Sequence, residues 1–268
     1  MRQLTSNEIK VEELKLLIKF DKLCKKYNLR YSLAGGTLLG AVRHQGFIPW
    51  DDDIDVCMPR NDYMKLQTIF KNIDKQFKLV SDILGNIDAP FSKIINEKFV
   101  VISDNNNSEL DKYLWIDIFP VDGLPDNKKI CERIYFKCDI YRSTLYLIDS
   151  KLKCQKLNFK SFAKYILKPL AKLYGRKRCV EKLEKIALSN PYETSKYVGA
   201  VTWGLYGAGE RMLKSEFEKS VEVEFEGHKF PAFSCWDSYL RGLYGNYMEL
   251  PPIEKRKTHN MTVYLKED

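Results

Sequence analysis

Residues 33 to 59 read Leu-Ala-Gly-Gly-Thr-Leu-Leu-Gly-Ala-Val-Arg-His-Gln-Gly-Phe-Ile-Pro-Trp-Asp-Asp-Asp-Ile-Asp-Val-Cys-Met-Pro. The glycine pair Gly35 and Gly36 opens a short predicted helix at Thr37, and an acidic cluster then enters an apolar strand. Glycines let a backbone approach a phosphate closely, and the first N–H groups of a helix attract anions. We therefore predict that Gly35, Gly36 and Thr37 bind a substrate phosphate next to the carboxylates.

Two carboxylates of this stretch, Asp53 and Asp55, are expected to share one face of the strand, because side chains two residues apart point the same way. Such a pair repels unless a cation lies between its members. Mg²⁺ is typically bound by one or two carboxylates together with substrate phosphates. We therefore expect Mg²⁺, with Mn²⁺ as a substitute, on Asp53 and Asp55. The alternative is a surface strand whose acids are solvated.

A third acid, Asp117, lies in the apolar run Tyr-Leu-Trp-Ile-Asp-Ile-Phe-Pro. A lone charge in such a run is costly to bury without a partner. If this strand neighbours the strand of Asp53 and Asp55, the three carboxylates form one metal site that can bind a transferred phosphoryl group. Asp117 is also the candidate general base. The predicted catalytic residues and metal ligands are therefore Asp53, Asp55 and Asp117.

Several charged residues around these acids have two interpretations each. Lys93, in Phe-Ser-Lys-Ile-Ile, either contacts a substrate phosphate or forms a structural ion pair. Arg43 either reaches the phosphates or is an exposed arginine at a helix end. Asp51 and Asp52 are expected to hydrogen-bond the loop rather than bind metal directly.

The composition describes a chain of 268 residues, 44% of them hydrophobic, with a net charge of +8. No apolar run approaches the roughly 18 residues of a membrane span, and the polar first ten residues lack a signal peptide. The seven cysteines show no Cys-x-x-Cys pair, which favours reduced thiols. We expect a cytoplasmic protein.

The positive charge is concentrated between Ser150 and Val180, where ten basic residues occur without an acid. Within 151–178, five lysines recur every four residues, which predicts one basic stripe along a helix: Lys156, Lys160, Lys164, Lys168 and Lys172. A basic amphipathic helix is typical of binding to an anionic membrane surface, here the inner face of the cell membrane. The alternative is a solvated lysine face over a packed apolar side. The near-neutral remainder argues against a nucleic-acid partner.

The periodicity of apolar residues predicts an α+β fold in one unit over 1–268. Its core, about 1–125, is a small mixed sheet flanked by helices, and about 126–268 forms a mainly helical elaboration. Predicted helices cover 7–27, 37–43, 62–70, 126–191 with a kink or break at Pro169, and 236–244. Predicted strands cover 31–34, 53–58, 77–81, 92–95, 100–103, 113–121, 198–203 and 221–233, with a turn over 104–111.

Four segments, 35–43, 46–55, 115–120 and 244–252, resemble the LicD family, a branch of the nucleotidyltransferase-fold superfamily related to fukutin-type proteins. Asn246 stands where the resemblance leads us to expect an aspartate. The resemblance implies a nucleotidyltransferase-like core. It also implies transfer of phosphocholine from CDP-choline, or of another group from a CDP-alcohol, to a lipid-linked or glycolipid acceptor. The acceptor would be a hydroxyl of a lipopolysaccharide or teichoic acid precursor, and CMP would be released.

The resemblance also implies that His259, with Lys255 and Arg256, folds over the nucleotide; the alternative is a solvated C-terminus. Choline would need an aromatic cage, for which the second half offers Trp203, Tyr206, Trp236, Tyr239, Tyr244 and Tyr247. Two other functions stay open. One is a nucleotidyltransferase that moves NMP from an NTP to a small acceptor, and the other is a non-catalytic nucleic-acid binder.

Overall fold

The computed structural model describes residues 1–70, 77–103, 112–150, 159–256, 258 and 261–266, with the backbone alone over 159–163. His259, the predicted turn over 104–111 and the start of the basic segment, 151–158, lie outside the described residues. The described helices are α1 (Ser6–Tyr27), α2 (Gly35–His44), α3 (Arg60–Ile69), α4 (Lys128–Asp149), α5 (Phe159–Tyr174), α6 (Arg176–Ala187), α7 (Lys214–Phe217) and α8 (Trp236–Tyr244).

A curled mixed sheet of nine strands lies at the centre, in the order β1-β11-β5-β6-β3-β2, with β4 beside β5, β7 beside β6, and β8 beside β7. Strands β3 and β6 run parallel, whereas the other pairs are antiparallel. A separate hairpin joins β9 to β10. The strands are β1 (Arg2–Gln3), β2 (Ser32–Leu33), β3 (Asp55–Pro59), β4 (Phe77–Val80), β5 (Ser92–Ser103), β6 (Tyr113–Leu124), β7 (Tyr197–Gly199), β8 (Met212–Leu213), β9 (Ser220–Phe225), β10 (His228–Phe233) and β11 (Met261–Leu265).

Local sequence signals fix several element ends. Helix α1 begins with a capping box, in which Thr5 and Glu8 satisfy each other's backbone N–H groups, and it ends at Asn28 in the left-handed conformation. The hairpin turns at Glu226 and Gly227, with φ values of 50° and 73°. Two positive φ values in a two-residue loop match the twist of the flanking strands.

The core is formed mainly by helices packed on the central strands. Helix α1 packs against β6, α2 against β3, and α3 against both. A second apolar cluster lies beside this core, where α4 packs against α6. No helix among the described residues is long and apolar enough to cross a membrane. All six described cysteines are buried free thiols.

The predicted α+β class is confirmed, but the sheet is larger than expected. Strand β11 pairs with β5, and β1 pairs with β11, so both chain ends extend the sheet. Residues 92–103 form one strand with a register shift after Asn96 rather than two strands. The second half is less purely helical than predicted, because it contributes β7 to β11. Of the predicted strand over 198–203, only Val198 and Gly199 are in a strand, β7, which begins at Tyr197.

The exposure of the side chains of helix α5 excludes one of the two interpretations of the basic segment. Pro169 lies inside the helix and does not end it. The described apolar side chains of α5 are mostly exposed, including Ile166, Leu170 and Leu173, while Lys168 is buried. The alternative of a solvated lysine face over a packed apolar side is therefore wrong for the described part of this helix.

Candidate active site

Three neighbouring strands place Lys93, Asp117 and Asp55 in one row. Lys93 of β5 is in register with Asp117 of β6, and Asp117 is in register with Asp55 of β3. The backbone N–H of Asp117 also donates to the carbonyl of Ile54 at 2.9 Å. Residues in register across a sheet present their side chains on the same face. The prediction that the two strands are neighbours is confirmed for Asp55. Asp53 does not belong to the strand as predicted, because β3 begins at Asp55.

The three acids form a cluster that could bind a metal ion. One carboxylate oxygen from each of Asp53, Asp55 and Asp117 lies within 4.8 Å of the other two. Burial, together with the charges of Asp53 and Asp117, raises the pKa of Asp55 well above its usual value, while Lys93 opposes the shift. A donor set made only of oxygens in mutual repulsion fits a hard divalent cation such as Mg²⁺.

Lys93 is 3% exposed, and its Nζ lies 3.0 Å from Oδ1 of Asp117. The same ammonium lies 4.2 Å from the ring centroid of Trp115. Trp115 in turn donates from Nε1 to Oδ2 of Asp117 at 3.2 Å. Of the two interpretations of Lys93, the structure therefore contains the ion pair. Phosphate contact by Lys93 stays a prediction.

The glycine pair Gly35 and Gly36 lies directly against the aspartate side chains. Gly35 has a φ of +51°, and a Cβ added to it would lie 2.7 Å from Oδ2 of Asp55. A Cβ on Gly36 would lie 2.5 Å from Oδ2 of Asp51. The Thr37 hydroxyl accepts a hydrogen bond of 2.8 Å from the backbone N–H of Asp55. Helix α2 therefore begins directly against the carboxylates, and Thr37 positions Asp55.

Arg43 lies at the other end of α2 and does not line the cleft beside the acids. Its Nη1 donates to the carbonyl of Tyr247 at 2.6 Å, and its Nε donates to Nε2 of His44 at 3.0 Å. The structure therefore does not bring Arg43 together with the three aspartates. Its contacts join α2 to the segment that follows α8.

The cleft beside the acids has a volume of about 780 Å³, within the roughly 300–1,000 Å³ of small-molecule sites. Gly35, Lys93 and the three aspartates line it. Four of the six aromatic candidates also line it, namely Trp203, Tyr206, Tyr239 and Tyr244, whereas Trp236 and Tyr247 do not.

Sequence reasoning missed other residues of the cleft, above all the aromatic and acidic side chains Phe91, Trp115, Phe119, Tyr146, Asp149 and Glu210. The ring centroids of Phe91 and Trp203 lie 5.1 Å apart, and those of Tyr206 and Tyr244 lie 5.2 Å apart. Burial raises the pKa of Glu210 to about 8. The cleft thus joins a carboxylate cluster to aromatic walls and a second buried acid.

Clustered carboxylates that could hold a divalent cation, beside a helix that begins with two glycines, are consistent with a phosphoryl-transfer site. Residues 28–174 match the sequence model of the family described as LicD/FKTN/FKRP, nucleotidyltransferase domain. The chain is 32% identical over 266 residues to the lipopolysaccharide cholinephosphotransferase LicD of Haemophilus influenzae. The aligned residues make up 97% of this chain and 98% of that protein. It is also 35% identical over 107 residues to an uncharacterized protein of Rickettsia prowazekii, 40% of this chain and 37% of that protein. The chain belongs to the LicD family.

Proposed function

We propose that this protein transfers phosphocholine from CDP-choline to a hydroxyl of a cell-surface glycan precursor, with release of CMP. The observation that carries the proposal is its similarity to the Haemophilus lipopolysaccharide cholinephosphotransferase, which extends over nearly the whole of both chains. The row of Lys93, Asp117 and Asp55 in an aromatic cleft supports the same chemistry.

We also propose that residues of about 1–125 form a nucleotidyltransferase-like core and that about 126–268 elaborate it. The description of the matching family supports this assignment. So does the unit in which α2 and the glycine pair lie beside the parallel strands β3 and β6. In this proposal the second half supplies the far wall of the cleft, with Trp203, Tyr206 and Tyr244.

Asp53, Asp55 and Asp117 would hold Mg²⁺ or Mn²⁺, and the bound ion would neutralise negative charge on the transferred phosphoryl group. The N-terminus of α2 would bind the diphosphate, because Gly35 and Gly36 have no side chain to fill the space beside Asp55 and Asp51. Thr37 fixes the backbone of Asp55. Lys93, which pairs with Asp117 at 3.0 Å, would contact a phosphate oxygen.

In the proposed reaction, the acceptor hydroxyl attacks the phosphorus next to choline. The new O–P bond forms as the P–O bond to CMP breaks, and the hydroxyl proton passes to Asp117. Oδ1 of Asp117 faces Lys93 at 3.0 Å, and Oδ2 has the weaker contact with Trp115 at 3.2 Å. The proton would therefore go to Oδ2. Most of the rate enhancement in such a transfer comes from positioning and charge neutralisation.

Tyr206, Tyr244 and Glu210 are the proposed choline site. A quaternary ammonium has no hydrogen-bond donor and is attracted to the faces of aromatic rings. The rings of Tyr206 and Tyr244 meet edge to face at 5.2 Å, and Glu210 accepts from the backbone N–H of Tyr206 at 3.0 Å. Burial raises the pKa of Glu210 to about 8, so Glu210 is protonated at neutral pH. The faces of the two tyrosine rings would therefore supply the attraction for the ammonium group, and Glu210 would hold the backbone of Tyr206 in place. The rings of Phe91 and Trp115 are less suitable, because Lys93 already lies over both.

The first test measures CMP release from CDP-choline with Mg²⁺ and a glycan acceptor. Asp55→Asn and Asp117→Asn should each lower turnover by about a hundredfold to a thousandfold, since removal of one stabilising group costs roughly 10²–10³. The exposed Asp126→Asn is the matched control and should turn over normally. Near-normal turnover by Asp55→Asn would refute the site. Release of pyrophosphate from an NTP, without use of CDP-choline, would favour a nucleotidyltransferase.

The second test identifies the donor by titration calorimetry with CDP-choline, CDP-ethanolamine, CDP-ribitol and CDP-glycerol. Tyr244→Leu should weaken binding of CDP-choline by about tenfold, the equivalent of a cation–π contribution near 1.4 kcal/mol. Binding of CDP-glycerol, whose alcohol part carries no charge, should hardly change. The half-buried Tyr27→Leu, outside the cleft, serves as the control. An equal loss for both donors in Tyr244→Leu would contradict the choline site.

A further inference from the structure

Helix α5 presents its apolar side chains outward. Ile166, Leu170 and Leu173 follow the i, i+4, i+7 spacing of one helix face, and each is more than half exposed, Leu173 at 80%. Lys168 and Ala171 lie on the opposite face and are buried, with only 8% and 6% of their surface exposed. Nearby Leu167 is also half exposed. This helix therefore packs on the protein through its polar side and leaves its apolar side uncovered in the described structure.

The buried side of α5 is held in place by specific contacts. Nζ of Lys168 donates to the carbonyl of Ser150, which follows the end of α4. Helix α5 packs along α4, and Arg176, just after α5, pairs with Asp149 at 2.7 Å. The outward direction of the apolar face thus follows from how the helix is anchored. An exposed apolar face of this extent on an ordered helix is typical of an interaction surface.

The charge of this part of the chain indicates the occupant of the apolar face. Ten basic residues and no acid occur between Ser150 and Val180, and Lys172, Lys177 and Arg178 are exposed. Basic residues that flank an exposed apolar helix face complement an anionic lipid surface, where each contributes about 1 kcal/mol. With 16 residues, α5 is too short to span a bilayer, which needs about 20 residues.

We propose that α5 lies in the interface of an anionic membrane, with Ile166, Leu170 and Leu173 inserted among the acyl chains. The anchor of α5 is also a wall of the cleft, because Tyr146 and Asp149 at the end of α4 line it. Membrane binding would therefore place the mouth of the cleft near the bilayer surface. That part of the inference rests on the proposed function, since only a lipid-linked acceptor would make use of it.

Co-sedimentation of the full chain tests the proposal with two kinds of vesicle, phosphatidylcholine alone and equal parts phosphatidylcholine and phosphatidylglycerol. The unchanged protein should bind the anionic vesicles at least about tenfold more tightly. The triple variant Ile166→Ser, Leu170→Ser, Leu173→Ser should lose about tenfold or more of this affinity. The matched control is Val11→Ser, Met64→Ser, Ile102→Ser, which changes exposed apolar residues elsewhere and should bind normally.

A charge variant, Lys172→Gln, Lys177→Gln, Arg178→Gln, should also weaken binding about tenfold, with a smaller effect at high salt. CMP release without vesicles is measured for every variant and should not change. This measurement separates failure of the membrane proposal from failure of the proposed function. Absence of vesicle binding would overturn the proposal. So would normal binding by the apolar variant, or a dimer in size-exclusion chromatography that the apolar variant abolishes.

Discussion

Replacing Gly35 by alanine should lower the rate of turnover strongly and the stability of the fold only slightly. Gly35 adopts a φ of +51°, a region in which an L side chain costs about 1–2 kcal/mol. The added Cβ would also lie 2.7 Å from Oδ2 of Asp55, whereas ordinary contacts begin at 3.4 Å. The carboxylate must therefore move by about 0.7 Å, which is the difference between the two distances. Thr37 holds the backbone of Asp55, so the displacement falls on the side chain.

The two effects have different sizes in different assays. Backbone strain of about 1–2 kcal/mol lowers the melting temperature of a chain this long by only several degrees. Misplacement of a catalytic group by up to 1 Å costs about a hundredfold in rate. We therefore expect Gly35→Ala to stay folded at working temperature while its turnover of CDP-choline falls about a hundredfold. Thermal unfolding and CMP release measure the two quantities on the same preparation.

Gly85→Ala is the matched control. Gly85 has a φ of +67°, and an added Cβ would meet no atom within 4 Å. This variant carries the backbone strain without the collision, so it should lose a similar amount of stability and keep its turnover. Equal turnover in the two variants would refute the reasoning, because the contact with Asp55 would then have no catalytic consequence.

Two further predictions concern buried charges. Because burial raises the folded pKa of Glu210 to about 8 from 4.5, the folded state binds the extra proton between these values, and stability should fall as pH rises through that window, by at most about 1.4 kcal/mol per pH unit. Glu210→Gln should remove this slope in urea unfolding at a series of pH values; an unchanged slope would contradict the assignment. Arg60 is buried and pairs with Asp122 at 2.6 Å and Glu184 at 2.6 Å, so Arg60→Met should cost about 3–5 kcal/mol. Lys229→Met, which breaks an exposed pair with Glu222, should cost less than about 1 kcal/mol, and similar losses in the two variants would count against a buried network.

The site was predictable where a local pattern carried it. Alternation around Asp53 and Asp55 identifies the strand, and the apolar run around Asp117 identifies the central strand beside it. Central strands are buried on both faces, so a carboxylate within one needs a partner. That requirement predicted a partner for Asp117, which the structure supplies as Lys93. The meeting of the acids was conditional on the two strands being neighbours, and the register of Asp117 with Asp55 shows that they are. Their roles in metal binding and catalysis stay predictions.

The rest depended on contacts between distant parts of the chain. The short strand Met261–Leu265 was not predicted, because it is defined by its pairing with β5. Met261 is in register with Ser103, which lies more than 150 residues earlier in the sequence. Glu210 carries no motif, and it becomes part of the cleft only when its 3₁₀ turn packs on α8. Periodicity predicted that α5 is amphipathic. It does not tell which face meets the protein, because contacts such as that of Lys168 with Ser150 decide this.

Helix α2 contacts α8 and the segment after it, and so joins the first of the sequence segments that resemble the family to the last one. At its first residue, the N–H of Gly35 donates to the hydroxyl of Tyr239 on α8 at 3.3 Å. At its other end, Arg43 donates to the carbonyl of Tyr247, after α8, at 2.6 Å. Both ends of α2 are therefore held by a segment about 200 residues away. Since the position of Gly35 relative to Asp55 depends on this helix, residues near the C-terminus position the carboxylate site although Tyr247 does not line the cleft. The two sequence signatures thus act as one structural unit, and substitutions that loosen the C-terminal segment should act on catalysis through α2.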